Sequence, residues 1–308
     1  MKSVLEVAEV SRQAAQKQIK QQVAFEEKLQ GLILEVDILR EEHPGCGVEK
    51  MYYTLRPDWL GRDKFISIFM KLGYRVKTVK NYKRTTIPVQ SKYKNLIQGM
   101  MVQDRNIVWQ TDITYFLVGD RCYYLVFIID VYTKVIRGYQ ASDHLRAEAN
   151  LLALTRAINT SNGNLDWLIH HSDKGGQYID KKYIALLERY GISISMGSSA
   201  QDNAYAERIN GTIKNEYLDY WKPQNLKELK YMLKKAVNHY NNKRIHSELP
   251  GKSTPIQFEK SLLDLNSQKR PTVIIYAEGN YKIKVASSRF DFKPKDGTLA
   301  HNCPIEIY

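Results

Sequence analysis

Residues 107–116 read Ile107-Val108-Trp109-Gln110-Thr111-Asp112-Ile113-Thr114-Tyr115-Phe116. β-Branched and aromatic residues dominate this run, and turn residues Gly119-Asp120 follow it, so it predicts a strand. Two more β-rich runs come next, at 122–129 and 134–141, with Tyr132-Thr133 between them. Residues 145–159 carry a helical pattern. Short strands are predicted at 167–171 and 192–196, with a helix at 181–190 between them. Helices follow at 203–220 and 226–241. Three strands, then helix, strand, helix, strand and helix, predict an α/β domain: a mixed sheet flanked by helices.

Three carboxylates stand at telling places in that order. Asp112 lies mid-strand and alternates with Ile113, so the two face opposite sides of the sheet. Asp173 follows the strand at 167–171 in His170-His171-Ser172-Asp173-Lys174-Gly175-Gly176-Gln177-Tyr178, and the C-terminal end of a strand is well placed for a site. Glu207 lies early in a helix, in Asp202-Asn203-Ala204-Tyr205-Ala206-Glu207-Arg208-Ile209-Asn210-Gly211. Phosphoryl transfer between DNA strands needs an activated nucleophilic oxygen and a stabilised leaving oxygen, and two metal ions about 4 Å apart supply both. Hard divalent cations such as magnesium take oxygen ligands. Carboxylates brought together repel and raise one another's pKa unless cations bind.

These segments resemble the retroviral-integrase-like transposases of bacterial insertion sequences, in particular the group encoded in two overlapping reading frames, of which this chain would be the downstream product. The resemblance covers residues 105–260 and continues through Tyr240-Asn241-Asn242-Lys243-Arg244-Ile245-His246 and Thr254-Pro255; Val10-Ser11-Arg12-Gln13 is similar too. It implies a ribonuclease H-like fold, the integrase catalytic core. It also implies a catalytic and metal-binding triad of Asp112, Asp173 and Glu207, with Lys214 the basic residue seven positions after the glutamate. Residues 207, 210, 211 and 214 share one helix face independently of the resemblance. The family has 35 residues between its second Asp and its Glu; here there are 33, and the shortening falls in the loop Gly197-Ser198-Ser199-Ala200-Gln201, where length changes are tolerated. Glu216 is the rival third carboxylate. Nine positions make two and a half turns, so it points roughly opposite to Glu207.

Length and charge set the frame around this core. The chain has 308 residues, enough for two domains. Forty-six Lys and Arg against 33 Asp and Glu leave +13, a balance that points to a polyanion. No apolar run approaches the ~20 residues that span a bilayer, and no secretory signal pattern opens the chain. Three scattered cysteines, Cys46, Cys122 and Cys303, argue against a disulfide framework and for a reducing interior. His43 and Cys46 lack a second pair for zinc and are expected in a loop.

The resulting organisation is a helical DNA-binding region at 1–76, a basic linker at 77–105, an integrase-like catalytic domain at 106–262 and a β-rich tail at 263–308. The first region is expected to hold two helix-turn-helix-like pairs: a helix at 4–8 and, behind Ser11 as N-cap, another at 12–21, then an amphipathic stretch at 25–39 and short helices at 48–55 and 62–72. In the linker seven basic residues face Asp104 alone, a surplus of six, suited to tracking a phosphate backbone. In the tail, runs at 273–276 and 281–286 flank the turn Glu278-Gly279-Asn280. Candidate DNA contacts are Lys214, Asn210 and Arg244 in the core, with Arg12, Lys64, Lys83 and Arg84 before it. Asp130, Asp143 and Asp202 have structural explanations as strand-end, turn and N-cap residues, and His170 and His171 as packing groups.

The expected activity is a DNA transposase that cuts at the element's ends and joins by 3′-hydroxyl attack, using two Mg2+ or Mn2+ ions. Expected partners are the terminal inverted repeats, target DNA, further copies of the chain and an upstream-frame protein; the expected location is the bacterial cytoplasm, on the nucleoid. Two alternatives stand beside it. One is a catalytically retired DNA-binding regulator, which the intact triad opposes. The other is a nuclease of the same fold that cuts without joining, which the N-terminal helix pairs oppose.

Overall fold

Long runs of Gln, Lys, Ala and Glu without Pro, and with one glycine, Gly31, that the helix tolerates, give the start of the described chain one uninterrupted helix. The computed structural model describes residues 12–76, 93–161, 165–197 and 200–275. It divides into two compact units, Met1–Lys77 and Thr78–Tyr308.

In the first unit α1 spans Arg12–Glu42, 31 residues. The expected break between 21 and 25 is absent, because Gln21-Gln22-Val23-Ala24 contains no residue that stops a helix. The proposed helix at 4–8 and the Ser11 cap lie outside the described residues. α1 ends just ahead of Pro44, as proline requires. Two short helices follow, α2 (Val48–Leu55) and α3 (Arg62–Lys71). The apolar stripe of α1 packs on them: Leu32 and Val36 meet Met51, Phe65 and Phe69 in one buried cluster. His43 and Cys46 lie in the loop between α1 and α2, as expected, and both are buried there. A bundle this small cannot spare apolar surface at its α1–α2 turn.

The second unit is built on a five-stranded sheet. Its strands are β2 (Val108–Val118), β3 (Arg121–Asp130), β4 (Ile136–Ser142), β5 (Ile169–Ser172) and β6 (Ser193–Met196). The sheet order is β4-β3-β2-β5-β6. β3 is antiparallel to both β2 and β4, while β5 and β6 run parallel to β2. Helices α4 (Ala147–Thr160) and α5 (Lys181–Arg189) connect β4 to β5 and β5 to β6. α6 (Ala204–Ile213), α7 (Leu226–Asn242) and α8 (Pro255–Ser261) complete the unit. This is the mixed sheet flanked by helices that the element order predicted, with the ribonuclease H-like layout that the resemblance implied.

Strand alternation separates two cores. Phe116 and Val118 of β2 pack with α6 and α7. Trp109 and Ile113 pack on the opposite face with α4 and α5. Asp112 therefore belongs to the face that α6 covers. The β3–β4 turn is held by buried Asp130, which accepts the backbone N–H groups of Asn106, Tyr132 and Thr133 at 2.6–3.1 Å. Lys134 takes a left-handed conformation in that turn (φ 62°). For that reason β4 starts at Ile136, two residues later than predicted.

Two boundaries of the sequence reading shift. Residues 93–105, expected as linker, are partly core: Ile97, Met100 and Val102 are buried and cluster with Val108, Ile169 and Phe258. A short strand β1 (Met101–Val102) pairs antiparallel with β7 (Val273–Ile274), so the beginning of the expected tail closes over the same core. The predicted strand at 281–286 and Cys303 lie outside the described residues.

Candidate active site

Parallel pairing brings the first two carboxylates together. β2 and β5 align Val108 with Ile169, Trp109 with His170 and Gln110 with His171. Continued two positions, that register sets Asp112 beside Asp173, one residue past the end of β5, on strands ~4.8 Å apart. The Asp173 carboxylate also accepts the Gly175 N–H at 3.1 Å, which fixes the turn that leaves the strand.

Glu207 arrives from α6, whose first turn is stitched to β2. Gln110 donates Nε2 to the Asp202 carbonyl at 2.9 Å and accepts the Tyr205 N–H at 3.0 Å. Asn203 donates Nδ2 to the Thr111 carbonyl at 2.8 Å. These bonds seat the helix one turn before Glu207. Asn203, and not Asp202, is the N-cap residue, and its side chain serves the sheet and caps nothing. Farther along, Asn210 donates Nδ2 to Asp112 Oδ2 at 2.8 Å, and Lys214 donates Nζ to Thr114 Oγ1 at 2.8 Å. Lys214 begins a single turn of π-helix, Lys214–Leu218, a distortion often found at functional sites.

The electrostatics of Asp112 record the convergence. Burial pushes its carboxyl up to about 7, and the nearby charges of Asp173 and then Glu207 push the same way; Lys214 opposes them. Burial also raises Glu207 and lowers Lys214, against which Asp219 and Asp112 pull. Tyr178 is buried beside the pair and is raised by burial and by the charges of Asp173 and Asp112. Among the described residues no group of three or more His, Cys, Asp or Glu side chains stands ready to hold a metal ion. Asp173 and Glu207 are thus both within electrostatic reach of Asp112, without a finished coordination shell.

The remaining candidates separate from this cluster. Asn210 is buried, and its amide Nδ2 is engaged by Asp112. Its spacing from Glu207 pointed to the shared face, but only the structure shows what it touches. Arg244 is likewise engaged within the unit. Glu216 holds it in a two-pronged pair at 2.7 and 2.8 Å, and the two side chains are 10% and 19% exposed. The same pair removes Glu216 from the catalytic cluster. Glu216→Gln leaves a buried guanidinium without its counter-charge. We expect it to lose about 2 kcal/mol in a denaturant titration while cleavage by the folded fraction persists. Lys64 is exposed, its ammonium 4.4 Å from the Phe25 ring centroid. Arg12 opens α1, and Lys83 and Arg84 lie outside the described residues. His170 and His171 are packing groups: they bond the hydroxyls of Tyr183 (2.6 Å) and Ser195 (2.8 Å), and burial lowers them to about 3 and about 4.

Two integrase core domain models match this chain, over residues 103–201 and 189–255. A 31 kDa protein of insertion element IS600 from Shigella sonnei is 32% identical over 209 residues, covering 65% of this chain and 75% of its own. The chain belongs to the insertion-sequence transposases with an integrase core. Among its relatives, the putative transposase InsK for IS150 of Escherichia coli is 32% identical over 199 residues, covering 62% of this chain and 67% of its own. The putative transposase for IS986/IS6110 of Mycobacterium tuberculosis is 29% identical over 225 residues, covering 69% of this chain and 81% of its own. The magnesium-bound catalytic core of HTLV-2 integrase superposes with a TM-score of 0.42 at 22% identity, covering 51% of this transposase and 97% of that chain. No helix among the described residues is long and apolar enough to cross a membrane.

Proposed function

We propose that this transposase cuts and joins DNA with Asp112, Asp173 and Glu207 as its metal-binding carboxylates. The observation that supports the reading is one half-buried carboxylate, Asp112, on a strand register that runs toward Asp173 and feeling the charges of Asp173 and Glu207. An all-oxygen donor set with uncompensated negative charge fits a hard divalent cation, magnesium or manganese, and three carboxylates suit two such ions. Bound there, the ions would lower the pKa of the attacking water or 3′ hydroxyl and stabilise the leaving oxygen.

The chain's own residues do the rest. Asn210 keeps the Asp112 carboxylate turned toward the site. The bonds from Gln110 and Asn203 hold α6 so that Glu207 faces it. Lys214, two turns along from Glu207, sits ~10 Å down the axis; its ammonium rests on Thr114, and its flexible stem lets it swing to the backbone of the cleaved end. The N-terminal helices and the basic stretch after them engage the terminal inverted repeats, and further copies of the chain bridge two ends. An upstream-frame product joins the assembly.

Incubating the protein with magnesium and candidate element ends tests the reading by its strand-transfer products. Cleavage without joining would return it to a nuclease of this fold, and binding alone to a regulator. Lys214→Ala is expected to lower joining and to reduce the salt slope of DNA binding by about one unit, equally for true ends and scrambled DNA. Unchanged affinity, slope and joining rate would leave Lys214 with only its structural bond to Thr114.

A further inference from the structure

The outer strand of the sheet carries a second concentration of positive charge, on none of the elements that hold the carboxylates. Beside β4 a groove of about 360 Å³ opens between α4, α7 and α8. Arg105, Arg137, Arg156 and Lys234 line it, together with a single carboxylate, Glu259. Four cations against one anion leave a surplus of three.

The Glu259 carboxylate is already engaged. Arg137 grips it with both terminal nitrogens, and Arg105 stands 3.6 Å away. Arg137 is 4% exposed on its side chain, and its Nε is buried with no hydrogen-bond partner. That guanidinium acts on the groove through its charge. The groups within reach of a ligand are Arg105, Arg156 and Lys234, of which Lys234 is exposed and the two arginines half-buried.

An edge strand ordinarily invites another strand, because its N–H and C=O groups are unpaired. Here side chains close the edge. Asn241 pairs both the N–H and the C=O of Ile136 at 2.9 and 3.0 Å. Thr160 donates to the Arg137 carbonyl at 2.8 Å, and Arg156 donates to the Tyr139 carbonyl while lying over the Tyr139 ring. Strand addition is blocked, and what remains on offer is cationic and amide donors. That chemistry suits a row of phosphates.

We propose that this groove binds a stretch of DNA phosphodiester backbone apart from the catalytic carboxylates. The proposal takes from the functional reading only that the substrate is DNA, and β4 stands two strands from β2, ~10 Å across the sheet. A joining enzyme must hold more backbone than the scissile phosphate, and a duplex passing the site would meet the groove with its flank.

Salt-dependent binding of a scrambled duplex tests this with the full chain, comparing wild type, Lys234→Gln and the Arg156→Gln/Lys234→Gln double variant. The expected result is a salt slope lower by about one unit in the single variant and about two in the double, the same on element ends. Inorganic phosphate, tested separately by its effect on Tm, should stabilise wild type and double variant equally. An unchanged slope overturns the proposal. So does phosphate that stabilises wild type alone with DNA binding intact, which would assign the groove to a free anion. A shift from dimer to monomer at constant slope would assign it to contact between copies, and also overturns it. If the double variant does not fold, Lys234→Glu on the exposed face of α7 decides, with an expected slope loss of at least one unit. Binding is read without catalysis, so this result and the carboxylate assignment fail independently.

Discussion

Asp112→Asn, Asp173→Asn and Glu207→Gln should each reduce both cleavage and joining on the order of 10³-fold or more, while affinity for duplex DNA changes little. Affinity to DNA comes chiefly from cations, and the chain retains its whole surplus of them in these variants. Asp112→Asn should also change stability, with a sign that marks the site. In the metal-free protein the Asp112 carboxyl titrates at about 7, against ~3.9 when unfolded. A carboxyl raised on folding contributes its stability below the unfolded pKa and loses it as pH rises through the folded one. Wild type should therefore weaken from about pH 4 to about pH 7, by at most about 4 kcal/mol from this group. The asparagine variant should lack that slope and be the more stable protein at pH 8. Adding magnesium should reverse the order, since only the carboxylate gains from the ion. Thermal melts of both proteins at pH 5 and pH 8, with and without the ion, check it. A wild type that is the more stable at pH 8 without metal would remove the charge crowding on which the assignment rests.

How much of this was legible from residues alone depends on the range of the signal. The sheet and its helices follow from local pattern: β-branched runs of 4–11 residues, helical periodicity and turn residues at the joints. Asp112 and Asp173 were visible because each is tied to a strand whose position the pattern sets. Glu207 was visible through its helix, and Glu216 stood as its rival until the structure gave Glu216 to Arg244. That pairing joins residues 28 positions apart and leaves no periodic trace. The same holds for Asn210 on Asp112, which spans 98 positions. The continuous α1 was misread for the opposite reason: scattered apolar residues suggested two helices, but nothing between 21 and 25 breaks one. The first residues of the catalytic unit were read as linker because their charge masked three buried apolar side chains, Ile97, Met100 and Val102. Charge reports on solvent exposure residue by residue, while burial is decided by what folds over the segment, here β7 and α8.

Gly138→Ala should be the most damaging single methyl addition in the catalytic unit. Gly138 sits in β4 under α4, and a Cβ there would lie 2.1 Å from the Ala153 carbonyl oxygen and 3.0 Å from the Ala157 Cβ. Its backbone conformation is ordinary for a strand, so the requirement is for space and not for φ. The clashing atom is helix backbone, which cannot rotate away as a side-chain tip does; α4 must move as a body or the strand must shift. Overpacking of this kind costs about 3 kcal/mol, a large part of a domain's total stability. The close approach also has a use. It brings Thr160 and Arg156 of α4 over the Arg137 and Tyr139 carbonyls, which is what closes the edge of the sheet. If α4 is pushed out, those bonds lengthen and β4 becomes an open edge. The variant should therefore show a lower denaturant midpoint and, at higher protein concentration, aggregation by strand pairing. Ala153→Gly in the same chain leaves the carbonyl in place and should not rescue it. A midpoint within about 0.5 kcal/mol of wild type would mean that helix and strand are not held at this distance in solution.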